Sequence, residues 1–238
     1  MKHLIWRLCL AACLCVSLNS GALAQVNVPL GGILNVPAGG SMNLGCTALN
    51  VQGSFNVNSG QVSGIGNVNI GNTGNLNDGS GTLSVSGNWN NSGTFVPGTG
   101  TVIFTDGCAS GPIQFTGTTT FNNLTLSSST GRSFIFPPGS AVTITGTLTL
   151  QGTPEQPITL HTAGNQSTLV MAPGSQLVSN NASGYYVDQN GDVIIGNNYS
   201  IPTLSEYGLI MLSLLMALTV LWHARGGSFG AKRKNQHL

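Results

Sequence analysis

Of 238 residues, seven are Lys or Arg and six are Asp or Glu, so 5% of the chain is charged where an ordinary soluble domain carries about 25%. With 34 glycines but no Gly-X-Y period it is not collagen, and its wealth of Val, Ile and Thr is foreign to charge-rich disordered segments. The bases lie at the ends, with Lys2 and Arg7 first and Arg225, Lys232, Arg233 and Lys234 last. Residues 25–200 set Arg132 alone against Asp78, Asp106, Glu155, Asp188 and Asp192, a balance that argues against a nucleic-acid partner.

Residues 1–24 read as a secretory signal peptide: a basic stretch through Arg7, an apolar run from Leu8 to Leu18, and the small-residue site Ala22-Leu23-Ala24 with cleavage before Gln25. Two other readings stand beside it. Leu10-Ala11-Ala12-Cys13 looks like a lipobox, although Leu8 to Ala12 is a short apolar core for that purpose. An uncleaved anchor would have to span a bilayer with the same short run.

From Gln25 onward apolar or β-branched residues alternate with Gly, Asn and Ser, as in Ser41-Met42-Asn43-Leu44, Thr82-Leu83-Ser84-Val85 and Thr147-Leu148-Thr149-Leu150. Period two predicts strands, and Gly and Asn at the corners supply left-handed geometry. The strands repeat. Ser54-Phe55 with Gln61-Val62 recurs as Asn75-Leu76 with Thr82-Leu83 after 21 residues, and as Thr94-Phe95 with Thr101-Val102 after 19 more. A period near 20 predicts an all-β chain folded as a short parallel β-helix, or solenoid, over residues 25–178. Phe55, Leu76 and Phe95 would then stack in one inward column, and Val62, Leu83 and Val102 in another. Scarce charge suits this fold, because stacked like charges about 4.8 Å apart repel while stacked Asn, Ser and Thr bond along the ladder. An antiparallel β-sandwich is the alternative, since short strands at this spacing describe that class too. The stretches Asn88-Trp89-Asn90-Asn91-Ser92-Gly93-Thr94-Phe95 and Gly117 to Leu124 resemble repeats of large bacterial surface proteins read as β-helical. In residues 179–200, Tyr185-Tyr186-Val187 and Val193-Ile194-Ile195 flank Asn190-Gly191, the signal of a type I′ hairpin, and a linker follows.

Candidate sites in this middle are few. Cys46 and Cys108 remain once Cys9, Cys13 and Cys15 leave with the signal, and an exported pair invites a disulfide. Three regular coils would part them by about 14 Å, while a bridge needs Cα atoms within about 7 Å, so one inference must yield; a fold-back of the Asp106–Pro112 loop is the route. Zinc lacks ligands, with only His161 to join the cysteines. Asp188-Gln189-Asn190-Gly191-Asp192 resembles the start of a calcium loop but lacks its distant Glu. Asp106 with Glu155 is the only acid pair worth weighing for glycan hydrolysis, and His161 alternates outward with no Gly-x-Ser-x-Gly partner. The chain is therefore expected to hold no catalytic residue, metal or cofactor, and to be no enzyme.

Gly208 to Trp222 is uncharged and almost wholly apolar, and residues 207–224 predict a transmembrane helix of roughly 27 Å. Tyr207 and Trp222 suit the two headgroup regions, and the bases beyond Arg225 keep the tail cytoplasmic. Ahead of it stands Ile201-Pro202-Thr203-Leu204-Ser205-Glu206-Tyr207-Gly208. Motif, span and basic tail Arg225, Lys232, Arg233, Lys234, together about the last 38 residues, resemble the IPTL-CTERM protein-sorting signal of Gram-negative bacteria. Ile201 to Leu204 match the name-giving letters and Gly208 the usual glycine, while Tyr207 replaces the commoner Trp. The resemblance implies a membrane-embedded sorting peptidase or transpeptidase that releases or transfers the protein to the cell surface. The function expected is an exported surface protein, held first at the inner membrane with a periplasmic ectodomain, then acting in adhesion or matrix structure against surface glycan. The alternatives are a carbohydrate-active enzyme on the same scaffold and a permanently membrane-anchored periplasmic module.

Overall fold

A computed structural model describes residues 25–138, 141–164, 166–196 and 204–226, with side chains of the last segment described for 211–223. The signal-peptide residues, Ile201 to Thr203 and Lys232 to Lys234 lie outside the described residues.

Residues 25–183 wind into about seven coils of three short strands, each coil stacked in parallel on the one before. A first face is built from β1 (Gln25–Val28), the second half of β3 (Ser41–Val51), the second half of β5 (Gln61–Ile70), β8 (Trp89–Asn91), the start of β11 (Ile113–Phe121), β13 (Ser133–Ile135), β16 (Ile158–His161) and β19 (Ala182–Ser183). A second face holds β2 (Ile33–Asn35), β4 (Ser54–Asn56), β6 (Asn75–Asn77) and β9 (Thr94–Val96), then the end of β11, β14 (Ala141–Ile144) and β17 (Gln166–Met171). The third runs from the first halves of β3 and β5 through β7 (Thr82–Val85), β10 (Thr101–Phe104), β12 (Asn123–Ser127), β15 (Thr147–Gln151) and β18 (Gln176–Asn180). Parallel pairing on every face removes the antiparallel sandwich.

Register follows the repeat. Phe55 pairs Leu76 and Leu76 pairs Phe95; Val62 pairs Leu83 and Leu83 pairs Val102, and all six are buried. The second column continues through Leu124, Leu148 and Leu177. Spacing along it explains why the repeat fades from the sequence: 21 residues from Val62 to Leu83 and 19 from Leu83 to Val102 become 22 from Val102 to Leu124, 24 from Leu124 to Leu148 and 29 from Leu148 to Leu177. The corners lengthen while the rungs persist.

On the second face, among the described residues, β9 pairs β6 alone and no ladder joins it to β11. Rings close that gap: Phe95 lies 5.5 Å from Phe121, and Trp89 sits 5.0 Å from Phe95 and 5.1 Å from Phe121 between centroids. The aromatic column continues through Phe104 and Phe115 to Phe136, which stacks on Phe115 at 4.5 Å. The Trp89 indole N–H donates to Thr119 Oγ1 at 3.1 Å, so its one polar group is satisfied inside the core.

The far end is closed by β20 (Tyr185–Val187) and β21 (Val193–Gly196), an antiparallel hairpin whose β21 also pairs antiparallel with β17. The turn is not the type I′ pair that Asn190-Gly191 suggested. Type I′ needs positive φ at both central residues, whereas only Gly191 has it, at 88°. The loop spans Asp188–Asp192 because the Asp188 carboxylate accepts from the amides of Asn190 and Asp192 at 2.8 and 2.9 Å, a local bond that stabilises a wider turn. β18 runs on to Asn180, and the hairpin follows it with β21 paired to β17 of the last coil.

A separate unit holds α1 (Leu204–Gly226). It starts three residues earlier and ends two later than expected, so Leu204, Ser205 and Glu206 of the motif are helical as well.

Glycines before the third face let adjacent coils touch. A Cβ on Gly81 would collide with a methyl of Val57 and the carbonyl of Gly60 one coil back, and one on Gly60 with Val36. Gly81→Ala should therefore lower stability by about 2 kcal/mol, while Gly111→Ala, whose Cβ would meet nothing within 4 Å, should be close to neutral; chemical denaturation of both variants measures the contrast.

Candidate functional site

The densest polar constellation lies at the corner between the third and first faces. In an early coil that corner is Gly45-Cys46, both left-handed at φ 59° and 70°, which turns β3 from one face to the next within a single strand. The following corners are small, Gly64 to Gly66 and Ser86-Gly87, but between β10 and β11 the chain loops out over residues 105–112. This loop folds back along the corner: a Cβ on Gly107 would lie 3.2 Å from Ser86 Oγ, in the preceding coil. Cys108 thereby meets Cys46 in a disulfide with Cα atoms 5.2 Å apart, across a sequence separation of 62. The regular stack and the bridge coexist because the loop, not the coils, covers the distance.

Arg132, the only base of the middle, anchors the same loop. Its guanidinium donates to the carbonyls of Gly111 at 2.7 and 2.9 Å, Thr105 at 2.9 Å and Ser86 at 2.9 Å, so one buried side chain ties together carbonyls from two successive corners. Burial lowers the Arg132 pKa, and the charge of Asp106 works against that shift. Asp106 in turn accepts from the Ser129 amide at 2.7 Å and hydroxyl at 3.1 Å. Burial pushes the Asp106 carboxyl up, but hydrogen bonds from Ser128, Ser129 and Thr130 outweigh it and hold it below the usual carboxylate range. Its role is to fasten the loop. Sequence reasoning missed Arg132; its isolation as the lone internal base was the available signal.

Asp78 is the other anomaly. It occupies the corner column in which the neighbouring coils place Val36 and Val57, is 1% exposed, and its Oδ1 has no hydrogen-bond partner. Burial without compensation pushes the carboxyl up to about 7.

The remaining candidates stay apart. Asp106 is bonded as described, and Glu155 lies exposed on the Thr153–Gln156 turn. His161 faces outward beside a half-open hollow of about 240 Å³ lined by Leu160, Thr162, Gly164, Gly184 and Gly196, which supplies an imidazole and a hydroxyl but no carboxylate. In the Asp188–Asp192 loop, Asp188 accepts from its own turn and Asp192 accepts from the Met171 amide at 2.7 Å, so both carboxylates hold backbone. Among the described residues no three His, Cys, Asp or Glu gather as metal ligands would.

The outer faces differ in chemistry. On the first, Asn50 donates to Asn27, Asn69 to Asn50, Asn90 to Asn69, and Thr116 to Asn90, all between 2.7 and 2.8 Å, a ladder that consumes its own polar groups. On the third, Thr82, Ser84, Thr101, Thr125, Thr147 and Thr149 alternate outward with buried Leu, Val and Phe, and among the described residues none of these hydroxyls is hydrogen-bonded. Along the stack Thr82 and Thr101 are neighbours in one outward row, which Asn123 separates from Thr147, and Thr125 and Thr149 are neighbours in the other, which Ile103 separates from Ser84; these outward positions carry no charge.

In the C-terminal unit, the large apolar side chains from Met211 to Trp222 are all exposed, at 52% or more. Among the described residues no helix is long and apolar enough to cross a membrane. A family model described as the IPTL-CTERM motif matches residues 199–226. The chain thus carries a C-terminal sorting signal of the kind found on secreted, surface-directed proteins, and the β-solenoid ahead of it fits a surface protein. No curated protein and no solved structure matches the chain.

Three outcomes follow from this geometry. Because the folded state retains a proton on Asp78 that the unfolded chain releases near pH 3.8, stability should be greatest below that pH and fall as pH rises through about 7, by up to about 4 kcal/mol; Asp78→Asn should flatten the slope in denaturation series across pH. Cys108→Ser should lower stability by about 4 kcal/mol on the chain-entropy model. Arg132→Met should be costly in the wild type and less so in the Cys108→Ser background, where the loop is already loosened, as a double-mutant cycle would read.

Proposed function

We propose that the protein is an exported, non-enzymatic surface protein that is first anchored in the inner membrane by the helix over residues 207–224. A membrane peptidase or transpeptidase then reads Ile201 to Gly208 and delivers the solenoid to the cell surface, where it serves adhesion or matrix structure against neutral surface glycan. The match of the IPTL-CTERM motif carries the sorting half of this reading. Apolar side chains all round α1 between Met211 and Trp222 support the membrane step, since such a stretch, Ser213 and Thr219 apart, has no face suited to water. The Thr219 hydroxyl donates to the Met216 carbonyl at 2.8 Å, which removes one polar group from the cost of entering lipid. Pro202 supports recognition: its fixed φ, and the extended bias it places on Ile201, favour a backbone a protease cleft accepts. Basic residues from Arg225 to Lys234 would hold the far end in the cytoplasm. The free hydroxyls of the third face support the glycan half, because uncharged donors and acceptors suit a neutral polyhydroxylated ligand and no ionic one.

An epitope tag after Leu238 tests the sorting step. Wild-type protein should reach the surface without the tag, and Pro202→Ala should accumulate at full length in the membrane fraction. Tag retention by both would reduce the motif to a linker and the tail to a plain anchor. For the glycan step, Thr101→Val, Thr125→Val and Thr149→Val together should reduce retention of the protein on neutral surface polysaccharide severalfold without lowering its melting temperature, because these hydroxyls bond nothing in the protein.

A further inference from the structure

The two ends of the solenoid are finished differently. At the far end the hairpin covers the core: Val193, Ile194 and Ile195 of β21 are buried, as are Ile158, Leu160 and Leu169 of the last coil, although Leu177 is only half-buried. At the near end nothing described covers the first coil. Of its inward residues Val28, Val36 and Leu44 are buried, but Val26, Leu34 and Met42 are only half-buried, whereas the partners of these three one coil on, Leu49, Phe55 and Val62, are at most 1% exposed. Leu30 and Ile33 stand at the rim, 75% and 70% exposed. The backbone is open as well, for among the described residues β1 pairs only β3, β2 only β4, and the first half of β3 only β5.

We propose that this first coil binds the first coil of a second copy, end to end, giving a two-fold dimer of solenoids. Residues 25–44 contain no charged residue, so two identical ends meet without repulsion, and the Lys or Glu that commonly guards an exposed strand edge is missing. Unpaired amides and carbonyls of one first coil match those of another related by a two-fold axis, and the half-exposed Val26, Leu34 and Met42 of both are covered together. Head-to-tail growth is disfavoured by the opposite end. There β18 and β19 offer parallel rungs on two faces, but the second face ends in antiparallel β21 and β20, which offer none to an incoming β2, so a head-to-tail junction forgoes one of the three faces that a two-fold junction pairs. The end therefore complements itself, and assembly stops at two. The inference goes beyond the sorting reading but rests on its cleavage before Gln25, which leaves β1 at the start of the mature chain.

Sedimentation of the exported protein over about a hundredfold range of concentration should give a monomer–dimer equilibrium, and amide exchange in β1 and β2 should slow as the dimer fills. Ile33→Lys, at an exposed position that leaves the fold intact, should weaken association about tenfold or more by placing like charges at the junction. Val178→Lys, at a comparably apolar exposed site on β18, should leave it unchanged. A monomer at every concentration, a dimer indifferent to Ile33→Lys, or equal loss in both variants would overturn the proposal. N-terminal sequencing of the same sample separates failed cleavage from failed pairing.

Discussion

Each inward side chain of the solenoid is sandwiched between the same position of the coil before and the coil after, about 4.8 Å away. That single constraint governs the composition. A charge placed inward would meet apolar side chains above and below, and a charge placed outward in every coil would meet its own copies, so the middle of the chain runs with almost none. It also governs the corners. Coils can approach this closely only where the turn carries no side chain, which is why Gly60 and Gly81 recur one coil apart against Val36 and Val57.

The departures from the stack are where polar chemistry collects. Asp78 enters a valine column and remains uncharged at acid pH because nothing there compensates its charge. The loop over residues 105–112 breaks the coil length, and three devices hold it: the disulfide to Cys46, the Arg132 guanidinium on backbone carbonyls, and the Asp106 carboxylate on Ser129. The internal charges thus serve architecture, consistent with the proposal that function resides on the uncharged outer faces rather than in a cleft.

Those faces divide by whether their hydrogen bonds are closed. Asn side chains carry both donor and acceptor and are long enough to reach the next coil, so the first face satisfies itself. The outward Ser and Thr hydroxyls of the third face are shorter and remain open toward solvent. A neutral glycan and, at the end of the stack, a second copy are partners of the kind that open hydrogen-bonding groups admit.

The sequence by itself determined what is periodic or covalently local. Period-two alternation and the 21- and 19-residue offsets named the solenoid and placed Phe55, Leu76 and Phe95 in one column, because a side chain's face depends only on its parity along the strand. The tail was legible for the same reason, since a motif, an apolar run and a basic cluster are contiguous in the chain. Tertiary structure alone decided the rest. That the loop at residues 105–112 runs back past two corners to Cys46, that Arg132 reaches the carbonyls of Ser86 and Thr105, and that Asp78 lands among valines depend on how coils of unequal length stack. The width of the Asp188–Asp192 turn was set by side-chain hydrogen bonding, which residue propensity at Asn190-Gly191 alone does not express. Contacts between coils are fixed by the whole register, and no local pattern carries it.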